Sequence, residues 1–351
     1  MKLPSFLLDR WLAAHEFSNP PILYNLASSA GPSLTLRELL TLCGESGDEL
    51  QDIRLAYAPP EGHRTLRESI ARFYDVDPEW VITTTGASEA LLLLYARAAA
   101  PGASIALPAP LFPPMSAVAQ AWGYQSNYYT LDRKEHFAHK AERIMAAVTG
   151  TTSLALINTP HNPTGAVMPT SEIERLAASL ADRGIPLIVD EVYHPLYFGD
   201  SHSSAAKIPN VVVVGDFSKA FSLPGLRIGW IIDRDRERRE QLIDLRSYFT
   251  LSGSPLCESL GILALRHIDL ILDRLKLIAY KNLGALESFM HDHRDRFGWV
   301  PPHGGTVTFP WRLDGQSTRP MCEALAKAGV LFVPGDCFDM PEHFRVGFGH
   351  A

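Results

Sequence analysis

The sequence has no uninterrupted apolar stretch of membrane-spanning length. It also lacks the apolar run of a secretory leader, because Asp9 and Arg10 break up the residues after Lys2. Positive charge is not in excess. The net charge is −7, and Arg234, Arg236, Arg238 and Arg239 are interleaved with Asp233, Asp235, Glu237 and Glu240. Mixed signs of this kind mark a solvated helix start, not a tract for a phosphate backbone, so neither nucleic acid nor membrane is expected as a partner. Cysteine is scarce. Cys43, Cys257, Cys322 and Cys337 show no CxxC or metal-ligand spacing, which argues against a disulfide framework and for a reducing, cytoplasmic setting. His291-x-His293 has no third ligand nearby, so it reads as a solvated helix end and no metal is expected.

What is present is a large apolar fraction, 46% of 351 residues, enough for a sizeable core and two lobes. The most informative stretch is Val211 to Trp230. Four valines read as a strand buried on both faces, as in a parallel sheet, ending at Gly215. A polar turn, Asp216-Phe217-Ser218-Lys219, follows, then Pro224-Gly225, then a second strand from Ile228 to Ile232. Lys219 and Arg227 thus share one irregular loop between two buried strands. Lys219 is a solvated lysine, a partner for Asp216, or a lysine that forms a Schiff base. The residues of the loop alone do not choose.

Other strand ends pose the same question. Val81 to Leu91 reads as strand, tight turn and helix, and Gly86, Ala87 and Ser88 leave backbone N–H groups uncovered at a helix N-terminus, an anion site or a plain N-cap. Ser104–Pro108 is a strand followed by a stiff loop that fixes Phe112, as core or as a stacking face. Leu154–Asn158 leads into the turn His161-Asn162-Pro163-Thr164-Gly165, whose Asn162–Pro163 bond is a candidate cis peptide. A helix near Thr170–Asp182 precedes a strand ending in Asp190, a carboxylate that is costly at a buried strand end unless paired. Such ends are where open α/β sheets bind ligands. Tyr57 stands before Pro59-Pro60, ahead of an amphipathic helix carrying Leu66, Ile70 and Phe73. The first 47 residues hold two short helices, broken at Asn19-Pro20-Pro21, and carry no identifiable chemistry. After Ile232 a long helical region runs from Glu237 to His293, interrupted at Thr250–Pro255. Strand-and-turn pieces of a smaller lobe follow, with Arg345 set among apolar residues, either salt-bridged or waiting for an anion.

Taken together and in this order, these pieces resemble the fold-type I pyridoxal-phosphate enzymes, the aspartate aminotransferase superfamily. Ser218-Lys219 and Gly225-Leu226-Arg227-Ile228-Gly229 match its lysine loop. The resemblance implies a doubly wound, mostly parallel α/β sheet with a smaller α+β domain: a large domain at 48–245 and a small one from 1–47 and 246–351. It implies pyridoxal phosphate as cofactor, carried on Lys219. Asp190 faces the pyridine nitrogen, Asn162 and Tyr193 face the 3-oxygen, and Phe112 stacks on the ring. Gly86, Ala87, Ser88, Ser218 and Arg227 surround the phosphate, with Tyr57 reaching in from the other subunit of a homodimer. Arg345, with Asn162 beside it, takes the substrate carboxylate.

The implied activity is transamination between an amino acid and a 2-oxo acid. Alternatives are a lyase or cyclase of the capreomycidine-synthase-like branch, which the runs Lys219–Arg227, Thr250–Leu256 and Gly304-Gly305 resemble, a carbon–sulfur lyase, and a cofactor-binding sensor without turnover. The short stretch before residue 48 leaves no room there for a DNA-binding module. Two departures stand out. Asp216 replaces the hydroxyl residue that usually touches the phosphate, and is expected to turn away from it. The final helix of the family is not found after Arg345, so apolar surface on the small lobe is expected to lie uncovered unless a partner or the N-terminal arm covers it.

Overall fold

The computed structural model describes residues 3–19 and 21–350. Lys2 and Pro20 lie outside them. The first part of the chain holds α1 (Leu7–Glu16), β1 (Tyr24–Asn25), α2 (Leu36–Cys43) and α3 (Arg64–Tyr74). The central part alternates: β2 (Val81–Thr84), α4 (Gly86–Ala98), β3 (Ser104–Ala109), α5 (Pro114–Ala121), β4 (Gln125–Thr130), α6 (Ala141–Ala146), β5 (Thr152–Asn158), α7 (Thr170–Ala181), β6 (Leu187–Asp190), β7 (Val211–Asp216) and β8 (Gly229–Asp233). These strands form one seven-stranded sheet in the order β2-β8-β7-β6-β5-β3-β4. The run β7-β6-β5-β3-β4 is parallel, while β8 is antiparallel to both β7 and β2.

The valine run shows why the sheet is covered on both faces. Val211 and Val213 pack with Leu66 and Ile70 of α3 and Ile173 and Leu176 of α7 in one core cluster. Val212 and Val214 point the other way, into a second cluster with Leu91 and Leu94 of α4 and Leu242. Side chains alternate across a strand, so a strand with apolar residues at every position must have helices above and below it. The pattern therefore reads correctly as doubly covered, but β7 continues through Asp216, one residue beyond the expected end at Gly215, and pairs Asp216 with Gly229.

The helical region is three helices, α8 (Arg236–Phe249), α9 (Pro255–Arg266) and α10 (Ile268–Asp292), with a break at His267 that periodicity did not reveal. Beyond it come β9 (Phe297–Gly298), β10 (Val307–Thr308), β11 (Trp311–Arg312), α11 (Arg319–Lys327), β12 (Val330–Leu331), β13 (Val333–Pro334) and β14 (Phe344–Gly347). The N-terminal segment returns to this end of the chain. β1 pairs in parallel with β12, and Leu8, Trp11 and Ala27 share a core cluster with Phe309, Leu331, Val333, Phe338 and Phe344. The Trp11 indole N–H donates to the Phe332 carbonyl at 2.8 Å. Apolar surface does lie open here. A groove of about 820 Å³ is bounded by Leu286, Phe289, Phe332 and Phe344, and the N-terminal residues Ile22–Leu26 form one wall of it without closing it.

Candidate functional site

Three parallel neighbours end side by side. Asn158 at the end of β5 is in register with Asp190 at the end of β6, and Asp190 with Val214 of β7, two residues before Asp216. Each ends in a polar residue, at the carboxyl ends where ligands enter such sheets. The Asp190 side chain is buried, and one of its oxygens accepts the Val192 N–H at 3.1 Å. Burial pushes its carboxyl up to about 7, with the Val192 N–H acting against that and Asp216 adding to it. Asn158 orients the next turn. Its amide donates to the Asp190 carbonyl at 3.1 Å, and its oxygen accepts the Asn162 N–H at 2.7 Å. The Asn162–Pro163 bond is cis.

Asn162 connects to the far end of the chain. Its oxygen accepts from Nη1 of Arg345 at 3.1 Å, and Nη2 of Arg345 donates to the Ala27 carbonyl at 2.7 Å. Arg345 is fully buried, and its Nε has no protein partner. A buried guanidinium with an unmet donor and no carboxylate bonded to it suits an incoming anion. Tyr193, also buried, donates from its hydroxyl to the Ser29 carbonyl at 3.3 Å; burial pushes its phenol up to about 12. Lys219 is half-buried and donates from Nζ to the Ser29 hydroxyl at 2.9 Å. Burial lowers the affinity of its amine for a proton. Asp216 and Asp190 act against that, and Arg345 and Arg227 with it.

The turn at Gly86 completes the other end. Gly86 has φ +77°, a backbone conformation that favours glycine, and a Cβ there would come within 2.5 Å of Nη2 of Arg227. α4 begins at this residue with no side-chain cap at Thr85. At its first turn the Asp216 carboxylate lies 3.5 Å from the Ala87 nitrogen. The other Asp216 oxygen accepts the Ser218 N–H at 2.8 Å. The expectation that Asp216 turns away is therefore corrected in part. It does hold another donor, but as the last residue of a strand paired to Gly229 it has little freedom to leave the turn, and it faces the anion site. Ser88 and Arg227 are exposed beside it, and Ser218 is buried.

Two expected residues, Tyr57 and Phe112, make none of the hydrogen bonds above. Tyr57 is 85% exposed in its own chain. Phe112 is half-buried between two core clusters, with the Phe6 ring edge-on at 6.0 Å. The reading of the first 47 residues as free of chemistry is overturned, since Ser29 lies directly on Lys219. Ser29, Asn158 and Thr306, whose hydroxyl also reaches the Ser29 carbonyl at 2.9 Å, were not singled out from the sequence. Asn158 had a signal, a polar residue ending an apolar strand. Ser29 had none, because its partner is 190 positions away.

Lysine, carboxylate, asparagine and tyrosine at the strand ends, with an amide turn and a guanidinium alongside, define a pyridoxal-phosphate enzyme of the aminotransferase fold. The chain belongs to the aminotransferase class I and II family, whose pattern it matches over residues 25–351. It is 30% identical to capreomycidine synthase of Streptomyces vinaceus over 99% of this chain and 90% of that protein. Among solved structures it is similar to a PLP-dependent aminotransferase from Streptococcus suis, at 28% identity and a TM-score of 0.92, covering 100% of this chain and 94% of that one. It is also similar to the PLP-dependent cyclase OrfR, at 25% identity and a TM-score of 0.90, with the same coverage. The cofactor is pyridoxal phosphate. The residues present fit it at the lysine end, and at the phosphate end the Gly86 cradle under Arg227 fits an anion while Asp216 opposes one.

Proposed function

We propose that this enzyme abstracts the α-proton of an amino acid and, as an aminotransferase, passes its amino group to a 2-oxo acid. The observation that carries this is the gathering of Lys219, Tyr193, Asn162 and Arg345 around Ser29 and Ala27 at the ends of β5 and β6. A carboxylate anchor and an amine that can move a proton are thereby held in one place. Bound pyridoxal phosphate supplies the electron sink for the pair left at Cα. Lys219 would hold the cofactor through its Nζ, and the same amine would carry the α-proton away from Cα. Asp190 would keep a proton on the ring nitrogen by its charge, Asn162 and Tyr193 would serve the 3-oxygen, and Phe112 would offer a stacking face to the ring. Arg345 forks onto the substrate carboxylate, using the Nε that has no partner within the protein. Gly86, Ala87, Ser88, Ser218 and Arg227 hold the phosphate.

Homodimerisation is part of the proposal. Tyr57 is solvent-facing in its own chain, as a residue serving a partner's phosphate would be. So is the division into a large domain at 48–245 and a small one from 1–47 and 246–351, supported by the core cluster joining Leu8 and Trp11 to Phe344. Four free cysteines support a cytoplasmic setting.

A second reading, elimination or cyclisation on a hydroxylated arginine, is supported by the near full-length similarity to capreomycidine synthase and by the likeness to a cyclase. One panel separates the two. The holoenzyme is mixed with single amino acids, including arginine, its hydroxylated forms, aromatic and acidic ones. Conversion to pyridoxamine phosphate supports transamination. Ammonia release with pyridoxal phosphate retained supports elimination. Absence of α-proton exchange with every member overturns both and leaves a sensor.

A further inference from the structure

The contact on Lys219 comes from an unexpected part of the chain. Residues 26–31 cross the site as a strap whose backbone is held on both sides. The Leu26 carbonyl accepts from the Gly347 N–H at 2.7 Å, and the Ala27 carbonyl accepts from Arg345 at 2.7 Å. The Ser29 carbonyl takes two hydroxyls, Tyr193 at 3.3 Å and Thr306 at 2.9 Å. The Ser28 hydroxyl closes a local turn onto Ala30. The packing leaves no slack. A Cβ on Gly347 would come within 1.8 Å of the Ser28 carbonyl, and one on Gly31 within 2.3 Å of the Ser222 hydroxyl. From this held backbone the Ser29 hydroxyl lies 2.9 Å from Nζ of Lys219.

We propose that Ser29 is the positioning residue of the lysine: its hydroxyl accepts one N–H of Lys219 and sets the direction in which that amine carries the α-proton. This rests on the function proposed above. The strap thus makes the N-terminal arm part of the proton-transfer site, although it contributes nothing to the sheet. Facing the same amine are Asp216 at the end of β7, Asp190 at the end of β6, Arg345 on β14, and Arg227 on the loop before β8. Their charges act on the amine from several sides, and Ser29 is the group that hydrogen-bonds it. A hydroxyl oxygen accepts more strongly from an ammonium than it interacts with a neutral amine, so its net effect is to favour the protonated form.

The test reads the amine directly. The full-length chain, freed of cofactor, is labelled with acetic anhydride over a pH series, and modification of Lys219 is followed by mass spectrometry. Ser29→Ala is expected to lower the labelling midpoint by about one pH unit. Ser29→Thr, which keeps the hydroxyl, is expected to retain the parent midpoint. If Ser29→Ala does not give a parent-like thermal melt, Ser29→Gly, which adds no atom to the crowded strap, takes its place. An unmoved midpoint in the folded variant lacking the hydroxyl overturns the proposal, as does a Ser29→Thr midpoint that follows the alanine variant. The cofactor's attachment point in the parent separates the two layers. Attachment at a lysine other than Lys219 removes the proposed function. Attachment at Lys219 with an unmoved midpoint removes only the part assigned to Ser29.

Discussion

The lysine end and the phosphate end of the site are built on opposite plans. At the lysine end, Lys219, Tyr193, Asn162 and Arg345 are tied to one another's neighbours through Ser29 and Ala27, and the donor left over belongs to a buried arginine. At the phosphate end, Arg227 and Ser88 are exposed, and a carboxylate stands at the mouth of the amide turn. The first is preorganised by long-range contacts. At the second, a phosphate bound as proposed would have to compete with Asp216 for the Ala87 N–H. Similar residue types at strand ends therefore do not imply similar readiness. What differs is whether distant chain segments have already satisfied them.

Removing the preorganised anchor should cost most. Arg345→Ala leaves Asn162 and the Ala27 carbonyl without their donor and removes the proposed fork for the substrate carboxylate, so kcat/KM should fall about a hundredfold or more. A loss of less than about tenfold in steady-state kinetics would place the substrate elsewhere.

The next effect concerns Tyr57, proposed to serve the phosphate end of the other subunit. Mixing Tyr57→Phe and Lys219→Ala subunits puts both defects in one site of each heterodimer and leaves the other intact. About a quarter of parental activity should return in an equimolar mixture of a twofold dimer. Additive losses with a monomeric mass on sedimentation would contradict the shared site.

Asp216→Ser sharpens the contrast further. At an effective dielectric near 20, two unit charges about 4 Å apart cost roughly 4 kcal/mol. Part of that is offset by Arg227 and the α4 N-terminus. The serine variant should bind pyridoxal phosphate at least as tightly as the parent, with affinity for phosphate-free pyridoxal unchanged. Binding weakened about tenfold, roughly 1.4 kcal/mol, would show that the carboxylate supports the site.

The smallest effect is thermodynamic. Burial raises Asp190 to about 7 in the cofactor-free protein, so the folded state holds its proton more tightly than the unfolded state does. Stability from this group is present below the ordinary carboxylate range and is lost as pH rises through about 7. Asp190→Asn does not pay that penalty. Its melting temperature relative to the parent should therefore rise between pH 5 and pH 8 without cofactor. With cofactor bound, the ring nitrogen's charge should abolish the trend. The buried His139, His161 and His194, which burial pushes the other way, cancel in this difference.

Sequence patterns gave access to whatever is local. The Val211–Val214 run announced a doubly covered strand, and the polar residues ending β6 and opening the Asn162 turn pointed to a site at the carboxyl ends of the strands. α5 was hidden because Pro110, Pro113 and Pro114 read as loop, although proline at a helix's first turn lacks only an N–H that would go unpaired anyway. β4, Gln125–Thr130, was hidden by its polar composition, which suits an edge strand. Ser29 was illegible for a different reason. Its role depends on a strap pinned by Tyr193, Thr306 and Gly347, and no window around Ser29 contains them.

The most direct measurement of the central claim is borohydride reduction of the holoenzyme followed by peptide mapping. The reduced cofactor should appear on the peptide carrying Lys219, with Lys219→Ala giving no covalent label and turnover lowered by about a thousandfold. A label on any other lysine would contradict that claim.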